Sequence, residues 1–247
     1  MIDYNIKDVI AITTTREDGY SQGVYAKNNM GFRCDDNAEH VKKNYEKLAK
    51  ELKININDIY YPFQAHTDTL IKINKNDSLP TMECDALYTT DKDVYVGVLT
   101  ADCLPILLYC SQPFICCAIH SGWKGSAKLI TLKTINYLIK QEKLNPKNTT
   151  IILGPAINQK DYEVGKDVYD AINQYPEYQP QDCFKKINNN KYLYDNKQFN
   201  LNILKQFNFN KIINHNESTT NILKYYSYRQ EGITGRLLSL IGKKANL

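Results

Sequence analysis

Histidine and arginine are both scarce in this 247-residue chain, with four of each. The shortage of histidine is restrictive, because a site holding several copper ions would need more imidazoles than the chain has. Among 31 basic residues the only arginines are Arg16, Arg33, Arg229 and Arg236, while Asn and Ile are heavily used. That bias fits AT-rich coding, and where Lys would serve as a surface charge a retained Arg points to a need for the planar fork. A one-sided charge is missing too: 31 basic against 27 acidic residues leave a net +4 spread along the chain, so nucleic acid is not an expected partner. The first residues hold no basic stretch leading into an apolar run, which argues against secretion. No internal repeat or Ser/Gly/Pro linker is visible, so a single domain over residues 1–247 is expected.

With 43% hydrophobic and 23% charged residues, the chain has the makeup of a soluble globular protein. Its longest apolar region, Val94 to His120, contains Asp102, Pro105 and Pro113 and many β-branched residues. It reads as consecutive buried strands rather than a membrane span. Seven cysteines, an odd number without framework spacing, fit free thiols in a reducing cytoplasm.

Val9–Thr14 reads as a strand. Asp36 or Asn37 then caps a helix with Val41, Tyr45, Leu48 and Leu52 at helical spacing. Val94–Leu99, Leu104–Tyr109 and Phe114–Ile119 should be neighbouring strands. A helix with Leu129, Leu132, Ile135 and Ile139 on one face should follow, then a strand over Thr149–Leu153. Further helices are expected around Val164, Val168 and Ile172 and around Phe199–Phe207, with the polar segment Asn188–Asn200 as a surface loop. Strands and helices mix without strict alternation, which predicts an α+β (mixed α/β) fold of mixed sheets with packed helices.

Among chemically able residues, His66 follows a probable strand, His120 ends one, and Cys103 lies in a break between two strands seventeen residues earlier. Strand ends at one edge could bring them together as an N/N/S set that suits zinc with a fourth position open; a buried thiol with two polar histidines is the alternative. His40 and His215 read as solvated, and the adjacent Cys116 and Cys117 as core thiols on opposite faces of a strand. Ser121-Gly122-Trp123-Lys124-Gly125 is a glycine turn into a helix, where an anion or plain turn chemistry would fit. Arg229 and Arg236, with Arg16, could build an anion site or form structural ion pairs.

These motifs run in order across nearly the whole chain: Thr14-Thr15-Arg16, Gln64-Ala65-His66, Asp85-Ala86-Leu87, Ala101-Asp102-Cys103-Leu104-Pro105, His120-Ser121-Gly122-Trp123-Lys124-Gly125, Gly154-Pro155-Ala156-Ile157, Tyr162-Glu163-Val164-Gly165 and Ser227-Tyr228-Arg229 with Gly235-Arg236. Together they resemble the YfiH or laccase-domain family. The resemblance implies a zinc-dependent purine nucleoside phosphorylase acting on adenosine, inosine and 5′-methylthioadenosine, with adenosine deaminase activity. It implies His66, Cys103 and His120 as metal ligands. Cys103, His120 and Asp102 are then the catalytic candidates, with Asp102 orienting a ligand, moving a proton or merely capping a turn. Arg16, Lys124, Arg229 and Arg236 are the candidates for holding nucleoside and phosphate. The chain departs from the family where Asp18-Gly19-Tyr20-Ser21 stands for Gly-Gly-Val-Ser, Lys160-Asp161 for a Cys-Cys pair, Thr67 for Gly, and Tyr45 for Arg.

Two enzymatic rivals remain at this point. A cysteine hydrolase would use Cys103 as nucleophile and His120 as base. A copper-dependent polyphenol oxidase would need a trinuclear cluster for which only His40 and His215 are left, so any bound copper is expected to be adventitious. A non-catalytic binding module is the third alternative. Neither nucleic acid nor membrane is an expected partner, and a monomer or homodimer is expected.

Overall fold

The computed structural model describes residues 1–245. In chain order its strands are β1 (Ile2–Asp3), β2 (Ile10–Thr13), β3 (Ile59–Tyr60), β4 (Leu70–Lys72), β5 (Ala86–Thr89), β6 (Tyr95–Thr100), β7 (Leu104–Ser111), β8 (Phe114–Ser121), β9 (Thr149–Leu153), β10 (Glu163–Gly165), β11 (Phe184–Asn188), β12 (Lys191–Tyr194), β13 (Lys211–Asn214) and β14 (Leu237–Gly242). The helices are α1 (Ala38–Leu52), α2 (Trp123–Ala127), α3 (Ile130–Glu142), α4 (Lys166–Ile172), α5 (Asn196–Lys205) and α6 (Tyr228–Glu231).

Two mixed sheets form the centre, one in the order β1-β2-β14-β6-β3 and the other β13-β9-β7-β8-β5-β4; an antiparallel sheet β10-β12-β11 stands beside them. The period-two pattern of the strands explains the layering. Val96 and Val98 of β6, Leu107 of β7, and Cys116 and Ala118 of β8 share one buried cluster between the central sheets. Their sequence neighbours Ile106, Leu108, Ile115, Cys117 and Ile119 face the other way, onto Ile130, Ile135 and Leu138 of α3. Each fully buried Val, Leu or Ile contributes on the order of 1.5–3 kcal/mol relative to exposure. The expected split of Cys116 and Cys117 is observed. On the far side of the first sheet, α1 lays Val41, Tyr45 and Leu48 over Ile12, Leu238 and Leu240. Its N-cap is Asn37, whose side chain accepts from the Glu39 N–H. The fold is mixed α/β, and no described helix is long and apolar enough to cross a membrane.

Four local expectations differ from the structure. β6 does not neighbour β7: it belongs to the first sheet and β7 to the second, so Ala101-Asp102-Cys103 carries the chain from one sheet to the other. Leu129 stands outside any helix, at φ 58 between α2 and α3. Val164 is in β10, and α4 begins only at Lys166. The segment Asn188–Asn200 is not a surface loop but the end of β11, all of β12 and the start of α5. Its Asn196 and Asn200 are buried in a network: Asn196 Nδ2 donates to Ser121 O (2.6 Å), and Asn196 Oδ1 accepts from the Ser126 hydroxyl (2.7 Å). That network fixes the end of β8 and the start of α2, which border the site.

Candidate metal centre

Two connections and the end of one strand converge beside β6 and β8. His66 lies in the β3–β4 connection at φ 59, Cys103 in the crossover between the sheets, and His120 near the end of β8. One ligand atom from each of the three lies within 4.8 Å of the others. Cys103 Sγ is 3.9 Å from His66 Nε2, and the two imidazole centroids are 4.9 Å apart. Gly122, the N-cap of α2, keeps this space open. A Cβ there would come within 2.9 Å of Cys103 Sγ and 3.0 Å of His66 Cδ2. Two imidazoles and a thiol around a gap that glycine leaves free fit a metal ion by donor chemistry.

Behind the three stands Asp85, fully buried just before β5. Its Oδ1 is 2.6 Å from His120 Nδ1, and its Oδ2 accepts from Thr67 N (2.6 Å), Thr67 Oγ1 (2.9 Å) and Ala65 N (3.2 Å). One carboxylate therefore orients the His120 ring and clamps the backbone on both sides of His66. Burial would raise the Asp85 pKa, but its bonds to His120 and Thr67 bring it down to about 2. Burial likewise pushes the Cys103 thiol up, and the His120 charge with hydrogen bonds from both histidines brings it down to about 6. For His120, burial disfavours the cation, yet the Cys103 thiolate and Asp85 raise it to about 9. Asp85 was legible only as part of a motif, and its role comes from the packing of β5 against β8.

The three ligand candidates form part of the wall of a cavity of about 680 Å³, a size suited to a small organic molecule. Arg229 and Arg236 line it, and so does Arg33, which composition alone did not place there. Arg229 donates to Glu163 O (2.8 Å) and sits over the Tyr162 ring; Arg236 donates to Thr234 O and Gly235 O. Asp102, at φ 90, also lines the cavity, but its carboxylate accepts from the Thr219 hydroxyl and the Arg229 N–H, each at 2.6 Å.

The structure does not bring Arg16 and Lys124 to the cavity wall. Arg16 pairs with Glu231 at 2.8 Å and donates to Ala26 O and Ile222 O, tying three segments together. Lys124 is exposed beside the Trp123 ring. Nor are the two remaining histidines simply solvated. His40 is half-buried, its Nδ1 without a hydrogen-bond partner among the described residues, and His215 Nε2 is 3.3 Å from the Tyr225 hydroxyl. Neither belongs to the His-Cys-His group.

Known proteins share this chain's sequence and architecture. The purine nucleoside phosphorylase of Haemophilus influenzae is 31% identical over 241 residues, covering 95% of this chain and 94% of that protein. Purine nucleoside phosphorylase YfiH of Escherichia coli is 29% identical, covering 95% and 94%. The crystal structure of a Bacillus licheniformis hypothetical protein YfiH superposes with a TM-score of 0.91 at 29% identity, covering 96% of this chain and 93% of that one. Residues 10–244 match the family model described as multi-copper polyphenol oxidoreductase laccase, and this chain belongs to that family, the laccase-domain or YfiH proteins.

Proposed function

We propose that this chain is a cytoplasmic, zinc-dependent purine nucleoside phosphorylase that acts on adenosine, inosine and 5′-methylthioadenosine and also deaminates adenosine. The observation that carries the reading is the convergence of His66, Cys103 and His120 on the wall of a 680 Å³ cavity, in a chain whose relatives are named purine nucleoside phosphorylases. Zinc held by these residues would supply a Lewis acid with one open position.

The chain's own groups would do the rest. Asp85 at His120 Nδ1 keeps the proton on that nitrogen, which leaves Nε2 as the ligand atom. Phe32, Tyr61, Trp123 and Tyr162 offer aromatic faces that would bind a purine and keep water from its glycosidic bond. Arg229 and Arg236 would bind phosphate; each is anchored through one guanidinium nitrogen to backbone carbonyls, which aims the remaining N–H groups. With both oxygens engaged, Asp102 is assigned to holding Arg229 at the cavity rather than to proton transfer.

The test follows adenosine with and without inorganic phosphate. Free adenine and ribose 1-phosphate should form only with phosphate, and inosine should form in either buffer. Arg236→Lys keeps the charge but removes the fork, so it should raise the phosphate KM and depress adenine release more than inosine formation. Adenine released at the same rate without phosphate would sink the phosphorylase reading.

A cysteine hydrolase is the second reading, and one observation favours it: Cys103, His120 and Asp85 form a thiol–imidazole–carboxylate relay. Both readings expect a reactive thiol in metal-free protein. Alkylation of Cys103 should rise with pH around a midpoint of about 6, while Cys116 and Cys117, pushed up by burial, stay inert. Zinc should suppress the Cys103 reaction. Turnover that survives complete removal of metal would favour the hydrolase.

A further inference from the structure

Three of the four arginines have guanidinium nitrogens bonded to protein oxygens: Arg16 to Glu231, Arg229 to Glu163 O, and Arg236 to Thr234 O and Gly235 O. Arg33 differs. It lines the cavity with its Cζ over the Phe63 ring, 3.4 Å from the centroid, and among the described residues no protein oxygen accepts from its guanidinium. An approach that close requires the guanidinium to lie flat on the ring, since an N–H aimed at the ring would hold Cζ farther off. One face of the guanidinium is therefore covered, and the other face and the fork remain available.

The surroundings favour a flat, neutral partner. Phe32 stacks on Tyr45 with centroids 5.4 Å apart and near-parallel to Tyr61 at 6.4 Å. Tyr45, where the family usually has Arg, is buried and donates its hydroxyl to Met30 O, so it adds no cation. Asp35, Asp36 and Arg236 all act on the neighbouring Cys34 thiol. The two carboxylates offset the Arg33 charge itself, so a phosphate held by Arg229 and Arg236 gains little from Arg33, whereas an aromatic ring gains stacking and hydrogen bonds.

Resting on the nucleoside reading above, we propose that Arg33, backed by Phe63, determines base specificity and selects 6-oxopurines over 6-aminopurines. The 6-oxopurine edge presents two acceptors, N7 and O6, that match the guanidinium fork. Adenine offers N7 but places its amino donor against the fork's second N–H, so one hydrogen bond is lost and two donors oppose each other. A bidentate contact of this kind discriminates by about tenfold to a hundredfold.

Calorimetry with hypoxanthine and adenine as free bases tests this without any turnover, alongside kcat/KM for inosine and adenosine at saturating phosphate. The wild-type protein should bind hypoxanthine about tenfold or more tighter than adenine. Arg33→Met and Arg33→Lys should both lose that preference, hypoxanthine binding falling more than adenine binding. Arg33 is exposed, so both variants should keep the wild-type circular dichroism. Equal binding of the two bases by the wild type, or a preference that persists in Arg33→Met or Arg33→Lys, would overturn the assignment. So would an Arg33→Met variant whose phosphate KM rises alike with both nucleosides. A protein that cleaves neither nucleoside would refute the phosphorylase reading, and the two base titrations would still decide the role of Arg33.

Discussion

Cys103→Ser should lose both bound metal and both products, adenine and inosine, while the protein stays folded. Cys103 contributes little to the core: it lies in the crossover between the two central sheets, outside the buried hydrophobic clusters, and the close neighbours of its sulfur are His66, His120 and Gly122. A serine hydroxyl fits the same space but does not ionise near neutral pH, so it replaces a thiolate with a weak neutral donor. The same change alters the metal-free protein. The Cys103 thiolate helps raise His120 to about 9, above an unfolded value of about 6.5. The resulting stabilisation needs both the thiolate and the imidazolium, so it is present between about pH 6 and pH 9 and is lost as pH rises through about 9 or falls through about 6. It should shrink in the serine variant. Metal analysis, product assays and denaturation at pH 7 and pH 9.5 check these points together, and a variant with full metal content and normal turnover would remove Cys103 from the site.

How much of this could be read from sequence depended on how local each feature is. The alternation that sends Cys116 and Cys117 to opposite faces is a property of one strand and was legible. So was the Asn37-capped helix, whose buried stripe repeats every three or four residues. The pairing of β6 was not, because a fully buried apolar strand looks the same whether the chain turns back into its own sheet or crosses to the facing one. The Asn-rich stretch misled for a similar reason: polarity suggests solvent, yet Asn196 and Asn200 bury their amides against Ser121, Ser126 and Thr131. His66 and Cys103 come from two connections and His120 from the end of a strand, so their spacing alone could offer them only as candidates; the ordered motifs made the stronger case. Arg16 shows the limit of composition. It keeps its fork, as an arginine retained in a lysine-rich chain suggests, but uses it to join Ala26, Ile222 and Glu231.

Asp85→Asn should damage metal binding and stability together, because a carboxamide cannot satisfy both sides of this carboxylate. With its oxygen toward His120 Nδ1, the new NH2 group faces Thr67 N, Thr67 Oγ1 and Ala65 N, and the backbone N–H groups on both sides of His66 lose their acceptor. Each buried donor left unpaired costs about 1–3 kcal/mol. With the amide flipped, those N–H groups are satisfied, but the NH2 now meets His120 Nδ1 and forces the ring proton onto Nε2, the nitrogen needed for the metal. Either orientation spoils one histidine. Loss of such a support lowers metal affinity by about 10–100-fold, which competition against a chelator can measure without reference to activity. The pH dependence separates this from a general loss of packing. Asp85 titrates at about 2 in the folded chain and at about 3.9 when unfolded. Its stabilisation is therefore complete above about pH 4 and disappears as pH falls through about 2. The stability gap between wild type and Asp85→Asn should be widest near neutral pH and narrow as the pH is lowered from 4 toward 2. Urea denaturation of the metal-free proteins at pH 7 and pH 3 measures it. A gap that stays constant between those two values would mean that the carboxylate's charge does not hold the two histidine segments together, and that Asp85 acts there through its shape alone.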